Sequence, residues 1–120
     1  MTTTVLIVDD EFGLAEISAD LLAEDGFEVA IAINGKLALA SLAARRADLV
    51  ITDLMMPVMD GLELIRRMRA EPALAAIPIA LMTALPEALS EPVAYDALLV
   101  KPFSMTELLD TARRLTGRHG

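Results

Sequence analysis

The sequence predicts an α/β fold, with five parallel strands in one sheet and helices covering both faces. Three observations predict it. Short apolar runs alternate with helical patterns five times along the 120 residues, and strand–helix alternation is the mark of parallel strands joined by right-handed crossovers. The apolar runs are continuous, as in "VLIV" and "LVI", which is what strands buried on both faces require. A hydrophobic content of 55% with only 3% aromatic residues and seven methionines supplies one aliphatic, methionine-rich core, and the length suits a single domain over residues 1–120.

Each element has its own signal. "TTVLIVDD" gives a strand over 4–8. From Glu11 to Glu24, Leu14, Ile17, Leu21 and Leu22 make a helical stripe expected to face the core, with Gly26 as its stop. "FEVAIAI" is the second strand; Asn34-Gly35 breaks the chain, and Leu37 to Ala44 forms the second helix. "DLVIT" is the third strand. Asp60 is placed to cap a helix from Leu62 to Arg69 that turns Leu62, Ile65 and Met68 inward. "IPIALMT" and "ALLV" are the fourth and fifth strands. Ser104-Met-Thr-Glu107 is a capping box opening a last helix that ends near Gly117. Five such units favour the flavodoxin-like (βα)5 order 2-1-3-4-5, whose ligands sit at the carboxyl ends of the strands beside the switch point between the first and third.

Composition narrows the function. The absence of cysteine removes disulfides and thiolate metal sites. A formal net charge of −8 opposes binding to nucleic acid or an anionic membrane, because such affinity rests on Lys and Arg. The same charge suits a divalent cation or a basic protein partner. No apolar run approaches the length of a membrane span, and the N-terminus lacks the basic start of a signal peptide; a cytoplasmic location is expected.

The residues just past each strand carry the chemistry. The first strand ends in Asp9-Asp10, the third in Asp53, the fourth in Thr83 and the fifth in Lys101-Pro102. In the order 2-1-3-4-5 these points share one rim, so three carboxylates, a hydroxyl and an ammonium converge. Two like charges about 4 Å apart repel by roughly 4 kcal/mol at an effective dielectric near 20. One lysine cannot offset three acids, so Mg²⁺, which takes carboxylates, water and phosphoryl oxygens, is the expected cofactor. A carboxylate nucleophile flanked by metal, ammonium and hydroxyl is suited to phosphoryl transfer, and Asp53 is the natural nucleophile.

The motifs "VLIVDDE", "ITDLMMPVMDG", "IALMTA" and "LLVKPF", in this order and over nearly the whole chain, resemble those of the response-regulator receiver domain of two-component signalling. The resemblance implies that Asp53 accepts a phosphoryl group from a histidine kinase or phosphotransfer protein. It implies Mg²⁺ bound by Asp10, Asp53 and the backbone carbonyl of Met55, with Asp9 acting through water. Thr83 would bind the phosphoryl group, and Lys101 would pair with Asp53 and then with phosphate across a cis Lys101–Pro102 bond. It further implies a signalling module, not a turnover enzyme, whose output is a changed interaction with a downstream protein. The chain is expected to be a free-standing receiver or one excised from a larger regulator. Phe12, Gly13 and Leu14, beside the acid pair, are candidates for packing against a kinase helix.

Three departures from the family pattern stand out. The stretch between Thr83 and Lys101 is short, holds Pro86 and Pro92, and leaves room only for a short or irregular fourth helix, since Pro92 would break a longer one. Leu98 stands where receivers often carry an aromatic switch residue, and Tyr95 is three positions further upstream; output is therefore expected through rearrangement of residues 84–97. Met55 and Leu85, two residues after Asp53 and Thr83, are apolar and would hinder a hydrolytic water. The only histidine, His119, is read as a terminal residue and not a phosphodonor. Competing chemistries fit less well. A phosphohydrolase of the haloacid-dehalogenase type needs Asp-x-Asp after the first strand, where this chain has Asp9-Asp10-Glu11. A flavin carrier of the same fold needs a hydroxyl- and glycine-rich loop where "DDEFG" would repel phosphate.

Overall fold

The computed structural model describes residues 2–89 and 94–117; Pro92 and His119 lie outside them. Strands β1 (Thr4–Val8), β2 (Glu28–Ala32), β3 (Leu49–Asp53), β4 (Ile79–Thr83) and β5 (Ala97–Val100) alternate with helices α1 (Phe12–Glu24), α2 (Gly35–Ala44), α3 (Gly61–Ala70) and α4 (Met105–Thr116). The sheet is parallel throughout, in the expected order β2-β1-β3-β4-β5.

Successive strand side chains point to opposite faces, so each strand feeds two cores. Leu6, Val8, Val50, Ile79 and Leu81 pack with Ala38 and Leu42 of α2 and Leu64, Ile65 and Met68 of α3. Val5, Ile7, Leu49, Ile51 and Met82 pack with Ala15 and Leu22 of α1 and Leu108 and Ala112 of α4. Each fully buried Leu or Ile contributes about 1.5–3 kcal/mol, and the continuous apolar runs arise because neither face of the sheet meets water.

The helix ends follow local chemistry. Asp60 accepts from the Glu63 N–H at 2.9 Å, and Ser104 and Glu107 form the predicted reciprocal capping box. Gly117 closes α4 in the left-handed conformation. Asn34 was expected only to break the chain; its carboxamide instead accepts from Leu37 N–H at 2.8 Å, so α2 starts two residues early, at Gly35. Arg113 grips the Asp25 carboxylate with two donors and ties α4 to the end of α1.

The α1 stripe differs from expectation. Leu14 and Ile17 are 51% and 62% exposed, whereas Ala15 and Leu22 face the sheet. The small Ala15 side chain lets the helix approach the strands closely, and the larger stripe is left facing sideways. In α3, Leu64 joins Ile65 and Met68 in the core, while Leu62 is only partly buried. Strand β4 begins at Ile79; Pro78, which has no N–H for the ladder, stands at its entry.

Among the described residues, the β4–β5 connection holds one turn of 3-10 helix, Pro86–Ala88. Its far end is pinned by Arg69. That guanidinium donates to the carbonyls of Ala75, Ile77 and Ala94 and to the Asp96 carboxylate. Asp96 in turn accepts from the Ile79 N–H at 2.8 Å. One side chain thus fixes the end of α3, the entry to β4 and the approach to β5.

Candidate functional site

The site lies on the rim where β1, β3, β4 and β5 end. Register places its members side by side: Val8 pairs with Thr52, Asp53 with Met82, and Thr83 with Val100. Asp9 follows β1 and is 4% exposed. Its N–H donates to Ala32 O at 3.0 Å, and its Oδ1 accepts from Glu11 N–H at 3.0 Å. Asp10 is exposed beside it.

Asp53 ends β3. Its Oδ1 accepts from Leu54 N–H at 2.9 Å, and the same N–H reaches Met82 O at 3.0 Å. The first residue of α3 presses on it from behind. Gly61 N–H donates to Leu54 O at 2.9 Å, and a Cβ on Gly61 would stand 2.3 Å from Asp53 O. Any side chain there would displace the Asp53 backbone. Thr83 is buried at the end of β4, where its Oγ1 accepts from Leu85 N–H at 3.0 Å. Lys101 N–H donates to Thr83 O at 2.8 Å, and the Lys101–Pro102 bond is cis, as anticipated.

The side chains converge. Lys101 Nζ is 3.3 Å from Asp53 Oδ2 and 3.9 Å from Asp9 Oδ2. One carboxylate oxygen from each of Asp9, Asp10 and Asp53 lies within 4.8 Å of the others. Burial pushes the Asp9 carboxyl above its ordinary range; the Glu11 N–H and Lys101 pull it back, while Asp53 and Asp10 push it further. Three acids against one ammonium leave an excess of negative charge on hard oxygen donors. That donor set fits a magnesium ion and would suit a soft metal poorly.

From Asp9 and Lys101 an apolar groove of about 440 Å³ runs between α1 and α4, lined by Leu14, Ile17, Leu21, Phe103 and Met105. The helical stripe on α1 was legible in the sequence, but only the fold shows that it lines a groove leading from the acids. Leu98 and Tyr95 both pack against the α2–α3 core. Met55, in the loop after Asp53, is 76% exposed, and Met56 and Met59 fill partly buried positions on that same core.

The sequence matches the model of the response regulator receiver domain over residues 5–113. The chain belongs to this family. Receiver domains accept a phosphoryl group in two-component signalling, and that is the general function of this fold and motif set. The sensory transduction protein RegX3 of Mycobacterium tuberculosis is 35% identical over 122 residues, covering 98% of this receiver and 52% of RegX3. The DNA-binding response regulator MtrA of Mycobacterium leprae is 33% identical over 117 residues, covering 94% and 51%. The receiver thus spans about half the length of these relatives. Among solved structures, the chemotaxis response regulator CheY4 of Vibrio cholerae matches with a TM-score of 0.88 and 32% identity over 96% of this chain and 99% of that one. The receiver domain of the sensor histidine kinase PA1611 from Pseudomonas aeruginosa matches with a TM-score of 0.89 and 26% identity, covering 98% and 99%; it carries a magnesium ion in its active-site cleft. No helix among the described residues is long and apolar enough to cross a membrane.

Proposed function

We propose that residues 1–120 act as a cytoplasmic receiver domain that takes a phosphoryl group onto Asp53 from the phosphohistidine of a sensor kinase or phosphotransfer protein. The observation that carries this reading is the 3.3 Å approach of Lys101 Nζ to Asp53 Oδ2 inside the three-acid cluster. A carboxylate oxygen of Asp53 attacks phosphorus; the P–N bond to the donor imidazole breaks, and its electron pair returns to the imidazole nitrogen. Lys101 then follows the charge from the carboxylate to a phosphoryl oxygen. Thr83 swings to donate its hydroxyl to another phosphoryl oxygen, which draws its Oγ1 away from Leu85 N–H.

Asp10, Asp53 and the Met55 carbonyl would hold Mg²⁺, with Asp9 acting through water. The ion would supply charge neutralisation on the phosphoryl oxygens. The apolar groove beside Asp9 and Lys101, with an acidic chain around it, favours a protein donor presenting a basic, partly apolar surface. The product is an altered protein surface, so the module signals without turning over a substrate. Its output runs through residues 84–97 to a downstream protein, not to nucleic acid directly.

Intact mass after incubation with acetyl phosphate and Mg²⁺ tests the reading. Wild-type protein should gain one phosphoryl group and Asp53→Asn none; equal labelling of the two would refute it.

A further inference from the structure

We propose that the first turn of α2 is a positioning element for the metal site, acting from outside it through Gly35 and Met59. This rests on the reading above, in which Asp10, Asp53 and the Met55 carbonyl hold Mg²⁺. The loop from Leu54 to Asp60 joins Asp53 to α3 and has two anchors. One ties its ends: Gly61 N–H closes on Leu54 O at 2.9 Å. The other lies near its far end, where Gly35 N–H donates to Met59 O at 3.1 Å. Between these anchors the loop is exposed at Met55 and at Val58, which is 77% exposed.

The second anchor is under load. Val58, a β-branched residue, has φ +70°, a conformation that such residues rarely adopt. Met59 N–H donates back to Pro57 O at 2.8 Å, closing a tight three-residue turn around Val58 of the kind that is rare and strained. A strained turn persists only where its surroundings over-determine it. Here the surroundings are α2. A Cβ on Gly35 would stand 2.8 Å from Met59 Cγ, 2.9 Å from Met59 O and 3.0 Å from Met59 Cβ. Glycine at position 35 lets the helix start lie directly on the Met59 backbone and hold the turn closed. The position of the Met55 carbonyl, between Leu54 and this turn, is then set partly by α2.

The test is Mg²⁺ affinity by titration calorimetry on the full chain, well below the melting midpoint, with thermal melts alongside. Gly35→Ala adds bulk at the contact and should weaken Mg²⁺ binding by about tenfold, the scale of lost outer support around metal ligands. Met59→Ala trims Cγ from the contact, keeps the Gly35 N–H bond to Met59 O and adds no bulk; it should weaken binding by less than the roughly tenfold expected of Gly35→Ala. Leu37→Ala, an exposed neutral change in the same turn, should leave affinity unchanged. A melting shift with wild-type Mg²⁺ affinity in folded Gly35→Ala or Met59→Ala assigns the contact to stability alone and overturns the inference. If Gly35→Ala does not fold, Met59→Ala decides by itself. Wild-type protein that takes up no Mg²⁺ overturns the reading of the site, and this inference with it.

Discussion

Lys101 Nζ lies 3.3 Å from Asp53 Oδ2, across the gap between the third strand and the fifth. The pair is partly shielded, and Asp9 shares the same ammonium at 3.9 Å. Lys101→Ala would leave three clustered acids without a cation. It is expected to destabilise the Mg²⁺-free protein by about 1–3 kcal/mol and to slow labelling of Asp53 by acetyl phosphate by roughly 10²-fold, the scale of one lost electrostatic contact in a transition state. Denaturant melts and time-resolved intact mass measure the two effects.

Removal of one acid should have the opposite effect on stability. Burial holds the Asp9 carboxyl above its ordinary value of 3.8, so the folded chain takes up this proton at higher pH than the unfolded chain. The ionised group therefore weighs against folding at neutral pH, and the penalty fades as pH falls through the raised value. Asp9→Asn is expected to stabilise the Mg²⁺-free protein at pH 7, because the cost of burying the charge, with the repulsion from Asp53 and Asp10, outweighs what the Glu11 N–H and Lys101 return. The gain should shrink towards about pH 4. Glu63 runs the other way: its hydrogen bond to Arg67 lowers its pKa, so its contribution is present above the unfolded value and is lost on acidification. Chemical denaturation across pH, for wild type and Asp9→Asn, separates the two signs.

Thr83 Oγ1 accepts from Leu85 N–H at 3.0 Å, and a swing of the side chain to donate its O–H to a phosphoryl group on Asp53 would carry Oγ1 away from that amide. Beryllofluoride, a phosphoryl mimic, is expected to raise amide exchange at Leu85–Leu89 and Ala94–Ala97 in wild type. In Thr83→Ala the bond is absent beforehand, so the mimic should produce little change. Equal responses in both proteins would separate Thr83 from the output segment.

Arg69, at the end of α3, serves four acceptors in the two segments that lead into β4 and β5. Arg69→Ala strips three carbonyls and the Asp96 carboxylate of this partner, and is expected to cost about 2–3 kcal/mol. Urea melts should show a lower midpoint with an unchanged slope. Exchange at Ala94 to Leu98 should rise in the same variant, since the end of the β4–β5 connection loses its pin.

Met55 and Leu85 present exposed apolar side chains beside the site. A hydrolytic water finds no polar guide on either. Phosphorylated wild type should therefore lose its group slowly, and Met55→Asn should lose it faster, as read by mass against time. A wild-type lifetime of seconds or less would contradict this.

The elements were legible because their signals are local. Continuous apolar runs mark strands covered on both faces, and Asp60, Ser104 and Glu107 mark helix starts through bonds spanning only three residues. The rim residues were legible because the strand order brings successive strand ends to one edge, so reading the residue after each strand reads that rim. Of the stripe Leu14, Ile17, Leu21 and Leu22, the last two pack on the core and the first two stay exposed, for a physical reason. Periodicity states which residues share a helix face, and it does not say which neighbour that face meets.

The sequence by itself determined the parallel sheet, the rim of Asp9, Asp10, Asp53, Thr83 and Lys101, and the capped helices, since each depends on residue type at fixed local spacing. Only the tertiary structure decided that Lys101 reaches two acids, that Arg69 bridges three elements, and that Gly35 supports the turn at Val58. The contacts of Lys101 with Asp9 and Asp53, of Arg69 with Asp96 and of Gly35 with Met59 join residues from 24 to 92 positions apart. Their geometry is set by how helices settle on the sheet, and no local pattern encodes that distance.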